Sequence, residues 1–127
     1  MSERRSTVLI VDDDAGVTQT FARMLQLEGY HVRTALDAEA GLRETAATRP
    51  DAILLDLRMP SLDGVGFLRR LRSHQCDRDI PVAIITADYF LSDTVSREIH
   101  ELGAVVCFKP LWLADLLGLT ERLLRIH

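Results

Sequence analysis

Cysteine is scarce in this chain. Its two cysteines, Cys76 and Cys107, are too few and too irregularly placed for a disulfide framework or a zinc site. Cys107 falls in an apolar stretch and reads as a small core residue, Cys76 as a loop thiol. No long hydrophobic run follows the arginines of the first six residues, which supports neither a signal peptide nor a transmembrane helix. A soluble, cytoplasmic protein with no membrane contact is therefore expected. Basic excess is also missing: a net charge of -4 over 127 residues argues against direct binding to nucleic acid. Neither G-x-G-x-x-G nor G-x-x-x-x-G-K-[ST] follows the first apolar run, so the common nucleotide-binding loops are excluded. Repeats, low-complexity segments and linkers are lacking too, and the length suits one domain with a real core.

What the chain does have is a recurring junction. Four times an apolar, β-branched stretch runs into a residue able to do chemistry: Val8 to Val11 into Asp12-Asp13-Asp14, Ile53 to Leu55 into Asp56, Val82 to Ile85 into Thr86, and Val105 to Phe108 into Lys109. Each such residue sits at the carboxyl end of a candidate strand. In an open parallel sheet those ends share one edge, where α/β proteins place their ligand sites.

Helical periodicity fills the intervals. Val17, Phe21, Met24 and Leu25 mark a first helix stopped by Gly29. His31 to Ala35 is a weaker, alternating strand, and Asp37 is placed as the N-cap of a helix ending near Thr48, with Pro50 beyond. Pro60 and the turn pair Asp63-Gly64 precede a helix from Val65 to about Ser73. His74 to Asp79 read as a surface loop. Val95, Ile99 and Leu102 share a helix face before Gly103 stops it, and a last helix runs from about Leu113 to Ile126. Apolar runs imply a sheet covered on both faces. With right-handed crossovers, five strand-helix units predict a doubly wound, flavodoxin-like (βα)5 fold of the α/β class, a five-stranded parallel sheet in the order 2-1-3-4-5. Its switch point lies between strands one and three, so Asp12, Asp13 and Asp56 would face one another there.

Three close carboxylates raise one another's pKa values unless something positive neutralises them. Few hard oxygen ligands, with room left for water and phosphate oxygens, suit Mg²⁺ better than zinc or a closed calcium cage. A divalent cation plus Lys109 sets three positive charges against three negative ones. Such a pocket can accept a phosphoryl group, with a carboxylate as the nucleophile. Asp14 reads instead as the N-cap of the first helix.

The four motifs, VDDD, LLDLRMP, IITAD and FKP, occur in the order seen in the receiver domains of two-component response regulators, which the chain resembles from first strand to last helix. The resemblance implies an N-terminal tail over 1–6 and a receiver domain over 7–127. It implies Asp56 as phospho-acceptor, and Mg²⁺ held by Asp12, Asp13, Asp56 and the Arg58 backbone carbonyl. Thr86 would hydrogen-bond the incoming phosphoryl group and Lys109 would pair with one of its oxygens. The donor would be a phosphohistidine on a sensor histidine kinase or a histidine phosphotransfer protein, or a small acyl phosphate. The domain would catalyse only its own phosphorylation and dephosphorylation. Composition alone favours a trans Lys109-Pro110 bond, since only about 5–6% of X-Pro bonds are cis; the resemblance implies cis.

One departure from the family matters. Where receivers commonly carry Tyr or Phe three residues before the lysine, this chain has Val106; Phe108, of the same strand parity, or the neighbouring Tyr89-Phe90 could substitute. Arg58 and Asp88 flank the pocket with opposite charges. Paired, they would slow hydrolysis of an aspartyl phosphate; the alternative is two independent, solvated side chains. In the last helix Leu113, Leu116, Leu117, Leu123 and Leu124 form the expected core stripe, with Trp112, Leu119 and Ile126 beside it as a second apolar edge. That edge either packs on the adjacent helix or forms a partner or homodimer surface. A downstream output domain or protein would be met through the last strand and its flanking helices. No output domain follows His127 in this sequence, so it is read as a stand-alone receiver or as one taken from a longer protein. Two alternatives stand beside this reading. One is a degenerate receiver that binds partners without phosphorylation. The other is a haloacid dehalogenase-like phosphatase, whose trailing acidic pair is reduced here to Asp115.

Overall fold

A computed structural model describes residues 5–125. The elements follow one another as β1 (Thr7–Val11), α1 (Ala15–Leu27), β2 (His31–Ala35), α2 (Ala38–Ala47), β3 (Ala52–Asp56), α3 (Gly64–Ser73), a 3-10 turn (Gln75–Asp77), β4 (Val82–Thr86), α4 (Asp93–Glu101), β5 (Ala104–Phe108) and α5 (Leu113–Arg125). All strand pairs are parallel, and the order is β2-β1-β3-β4-β5, as the alternation of periods predicts.

Strand side chains alternate between two cores. Leu9, Val11, Ile53, Leu55 and Ile84 face α2, α3 and α4, where Phe67, Leu68, Leu71 and Ile99 close over them. Val8, Ile10, Leu54 and Ile85 face α1 and α5, meeting Phe21, Leu25, Leu116, Leu119 and Leu123. Both faces of the central strands are thus covered, and every residue of β3 and β4 is buried. Burying each such aliphatic side chain stabilises the fold by about 1.5–3 kcal/mol. The edge strand β2 is half exposed, in keeping with its alternating sequence.

The caps follow local chemistry. Asp14, Asp37, Asp63 and Ser92 each accept a backbone N–H of the first helical turn, satisfying donors the helix itself leaves free. Gly29 and Gly103, at φ 95° and 76°, let the chain leave α1 and α4 through the left-handed region. Because Asp63 is the cap, α3 begins at Gly64, one residue before the expected start.

Three expectations need correction. The polar segment after α3 is not a plain surface loop: Asp77 is buried, because the partly buried Arg72 guanidinium gathers carbonyls around itself. It donates to the carbonyls of Asp77 (3.1 Å), Ile80 (2.7 Å) and Leu102 (2.8 Å). In α5 the buried face is Leu116, Leu119, Thr120 and Leu123, so Leu119 belongs to the core stripe and not to a second edge. Leu113, in the first turn of α5, is exposed and is not among the residues packed on either core, and Trp112 is exposed too; Ile126 lies outside the described residues. Cys107 is only half-buried, because β5 is an edge strand; the Cys76 side chain also lies outside what is described.

Candidate functional site

Three strand ends deliver the charged groups. β1 and β3 are neighbours, with Val11 level with Leu55, so the residues that follow them stand together. Carboxylate oxygens of Asp12, Asp13 and Asp56 all lie within 4.8 Å of one another. Asp12 and Asp56 are buried and Asp13 is exposed, which leaves the cluster open on one side. Lys109 arrives from the end of β5: its Nζ stands 3.2 Å from Asp12 Oδ2 and 3.6 Å from Asp56 Oδ1. The other oxygen of Asp12 accepts the Asp14 N–H at 2.9 Å. Asp14 itself turns away and caps α1, accepting from Gly16 and Val17.

Burial is the largest reason that the Asp56 pKa rises to about 6, with repulsion from Asp12 next; Lys109 opposes this and Asp13 adds to it. One ammonium does not balance three carboxylates held this close, two of them buried. Hard oxygen donors at this spacing fit a divalent cation of the Mg²⁺ type, which needs few protein ligands and keeps several waters.

Thr86 ends β4, is buried, and its hydroxyl accepts the Asp88 N–H at 3.0 Å. Asp88 also accepts the Phe90 N–H and pairs with Arg58, so the residue two past Thr86 is tied to the residue two past Asp56. That pairing, first through the Arg58 hydrogen bond and then through the Phe90 N–H, holds the Asp88 carboxyl below its ordinary range. Val106 is half-buried and packs on the core under α4, whereas Phe108 is exposed and stacks on Tyr89. Aromatic surface therefore sits two residues later than the usual position. The Lys109-Pro110 bond is cis. Asp115, in the first turn of α5, accepts the Trp112 N–H and caps that helix, far in role from a second phosphatase carboxylate.

Gly64 was legible only as a turn residue. A Cβ there would lie 2.6 Å from the Asp56 carbonyl oxygen and 2.9 Å from the Leu57 Cα, while its N–H donates to the Leu57 carbonyl at 2.9 Å. The start of α3 thus presses directly on the backbone of the central acid. The Tyr89 hydroxyl, which donates to the Lys109 carbonyl, likewise has no signature in local sequence.

Residues 8–119 match the family model described as the response regulator receiver domain. The chain belongs to the response regulator receiver family. Curated relatives agree: a transcriptional regulatory protein PrrA of Mycobacterium leprae is 43% identical over 119 residues, covering 93% of this chain and 49% of the relative. A response regulator MprA of Mycolicibacterium vanbaalenii is 39% identical over 121 residues, covering 93% and 50%. The receiver chain thus spans about half the length of the curated relatives it matches. Among solved structures, chemotaxis protein CheY4 of Vibrio cholerae superposes with a TM-score of 0.87 at 29% identity, over 94% of this chain and 99% of that one. The N-terminal domain of a receiver protein from Methanoculleus marisnigri gives 0.75 at 34% identity, over 91% and 94%. As a receiver, the domain is part of two-component signalling, and the phosphatase alternative has no support from this kinship. Among the described residues no helix is long and apolar enough to cross a membrane.

Proposed function

We propose that this receiver accepts a phosphoryl group on Asp56 from a phosphohistidine on a sensor histidine kinase or a histidine phosphotransfer protein, or from a small acyl phosphate, in the cytoplasm. The observation that carries the reading is the Lys109 ammonium standing within 4 Å of both Asp12 and Asp56, beside a third carboxylate on an open face. An Asp56 oxygen forms the new bond to phosphorus as the bond to the donor's nitrogen or oxygen breaks, and the electron pair leaves with the donor. Lys109 pairs with one equatorial oxygen and the Thr86 hydroxyl donates to another; such transfers depend mainly on positioning and charge stabilisation. Asp12, Asp13, Asp56 and the Arg58 carbonyl would hold Mg²⁺, which when bound neutralises charge on the phosphoryl oxygens. Water later cleaves the acyl phosphate, and the Arg58–Asp88 pair at the mouth restricts its approach. An output domain or protein would read the changed state through β5 and its flanking helices.

Incubation with Mg²⁺ and a small acyl phosphate, followed by intact mass, tests the reading. One phosphate adduct is expected on the wild type and none on Asp56→Asn. A wild type that stays unmodified would instead favour the degenerate receiver, binding its partners without phosphorylation.

A further inference from the structure

An ammonium on a flexible four-carbon stem is only as well placed as the backbone that carries it. Lys109 lies just past the last residue of the edge strand β5, where the sheet holds it from one side only. Two bonds from the β4 side fix that backbone. The Lys109 N–H donates to the Thr86 carbonyl at 2.8 Å, and the Lys109 carbonyl accepts from the Tyr89 hydroxyl. The Tyr89 ring also stacks on Phe108, the residue before the lysine, with centroids 5.2 Å apart and planes 19° from parallel.

Tyr89 and Phe108 are 57% and 41% exposed, and neither is part of the two apolar cores. Their pairing therefore contributes little to holding the fold together. What it does is tie the loop between β4 and α4 to the peptide that aims Lys109. That same loop carries Asp88, whose N–H donates to the Thr86 hydroxyl.

We infer that Tyr89 is a positioning residue for Lys109: its hydroxyl and ring clasp the end of β5 so that the ammonium stays between Asp12 and Asp56 while a phosphoryl group arrives. The inference rests on Asp56 being the acceptor. Preorganisation of this kind matters because a misplacement of about 1 Å can cost on the order of 100-fold in rate. Tyr89→Phe keeps the ring stack and removes the hydroxyl, so it loses part of the clasp; Tyr89→Leu loses both parts.

The test compares rates of Asp56 phosphorylation by a small acyl phosphate in Mg²⁺, read by intact mass, with thermal midpoints measured alongside. Tyr89→Phe is expected to slow phosphorylation roughly 3- to 10-fold, and Tyr89→Leu at least as much, with midpoints within about 2 °C of wild type. In a Lys109→Ala background the Tyr89→Phe change is expected to have no further effect, because a residue acting through the lysine has nothing left to position. A wild-type rate in Tyr89→Phe overturns the inference, and so does an equal slowing with and without Lys109. If the wild type takes no phosphate, the acceptor reading fails and the clasp falls with it. A phosphorylated wild type with an indifferent Tyr89→Phe removes the clasp alone.

Discussion

The Lys109 ammonium stands 3.2 Å from Asp12 Oδ2 across 97 positions of sequence, and it leaves the neighbouring Asp56 incompletely compensated. With no metal bound, the Asp56 pKa is raised to about 6 from an ordinary 3.8. The folded state then binds more protons than the unfolded state between those values. Stability should fall as pH rises from about 4 to 6, by on the order of 1–3 kcal/mol, and stay low above that. Urea unfolding in chelator across this range, compared with Asp56→Asn, isolates the effect, because the asparagine variant lacks this titration. The variant should be the more stable protein above pH 6, and the wild type should recover the difference on adding Mg²⁺.

Arg58, two residues past Asp56, forms an ion pair with Asp88, two past Thr86. If that pair restricts water, Arg58→Ala should shorten the lifetime of the Asp56 phosphate by about 2- to 5-fold, the scale an exposed ion pair can impose. The decay of the adduct after removal of the phosphodonor measures it. Equal lifetimes in the two proteins would mean that the pair plays no part in hydrolysis.

Gly64 has no room for a side chain against the Asp56 carbonyl and the Leu57 Cα. Both obstacles are backbone, so neither can swing aside. Gly64→Ala should cost about 1–3 kcal/mol in urea unfolding and should also slow phosphorylation, because the strain falls on the acceptor itself. A variant as stable and as fast as wild type would show that α3 can retreat without disturbing Asp56.

Arg72 supplies hydrogen bonds to three carbonyls at the junction of α3, the 3-10 turn and the end of α4. Arg72→Met fills similar space but leaves those acceptors without their donor, at an expected cost of about 2–4 kcal/mol. Arg72→Lys should recover only part of it, since an ammonium cannot reproduce the planar fork. Denaturant midpoints of the three proteins order the effect.

Much of the architecture is written locally. Unbroken apolar runs in β1, β3 and β4 encode burial on both faces, and the alternation of β2 encodes an edge. Asp14, Asp37 and Gly29 mark helix ends by chemistry that needs only neighbouring residues. The α5 leucines show where such reasoning stops: helical spacing places Leu113 in the core stripe and Leu119 on a second edge, yet packing against the sheet and α1 buries Leu119 and leaves Leu113 in solvent. Arg72 was likewise unremarkable in sequence, because its three acceptors come from separate segments.

The chain's own order of residues determined the kinds of chemistry available at each strand end, because a strand, a cap or a turn is specified by residues that are near neighbours. Tertiary structure alone decided which of those ends meet. Parallel register sets Asp12 beside Asp56, crossovers bring Lys109 between them, and the fold closes Gly64 under the acceptor and Tyr89 over the lysine's carbonyl. Contacts of that kind depend on how whole elements pack, and no local pattern carries them.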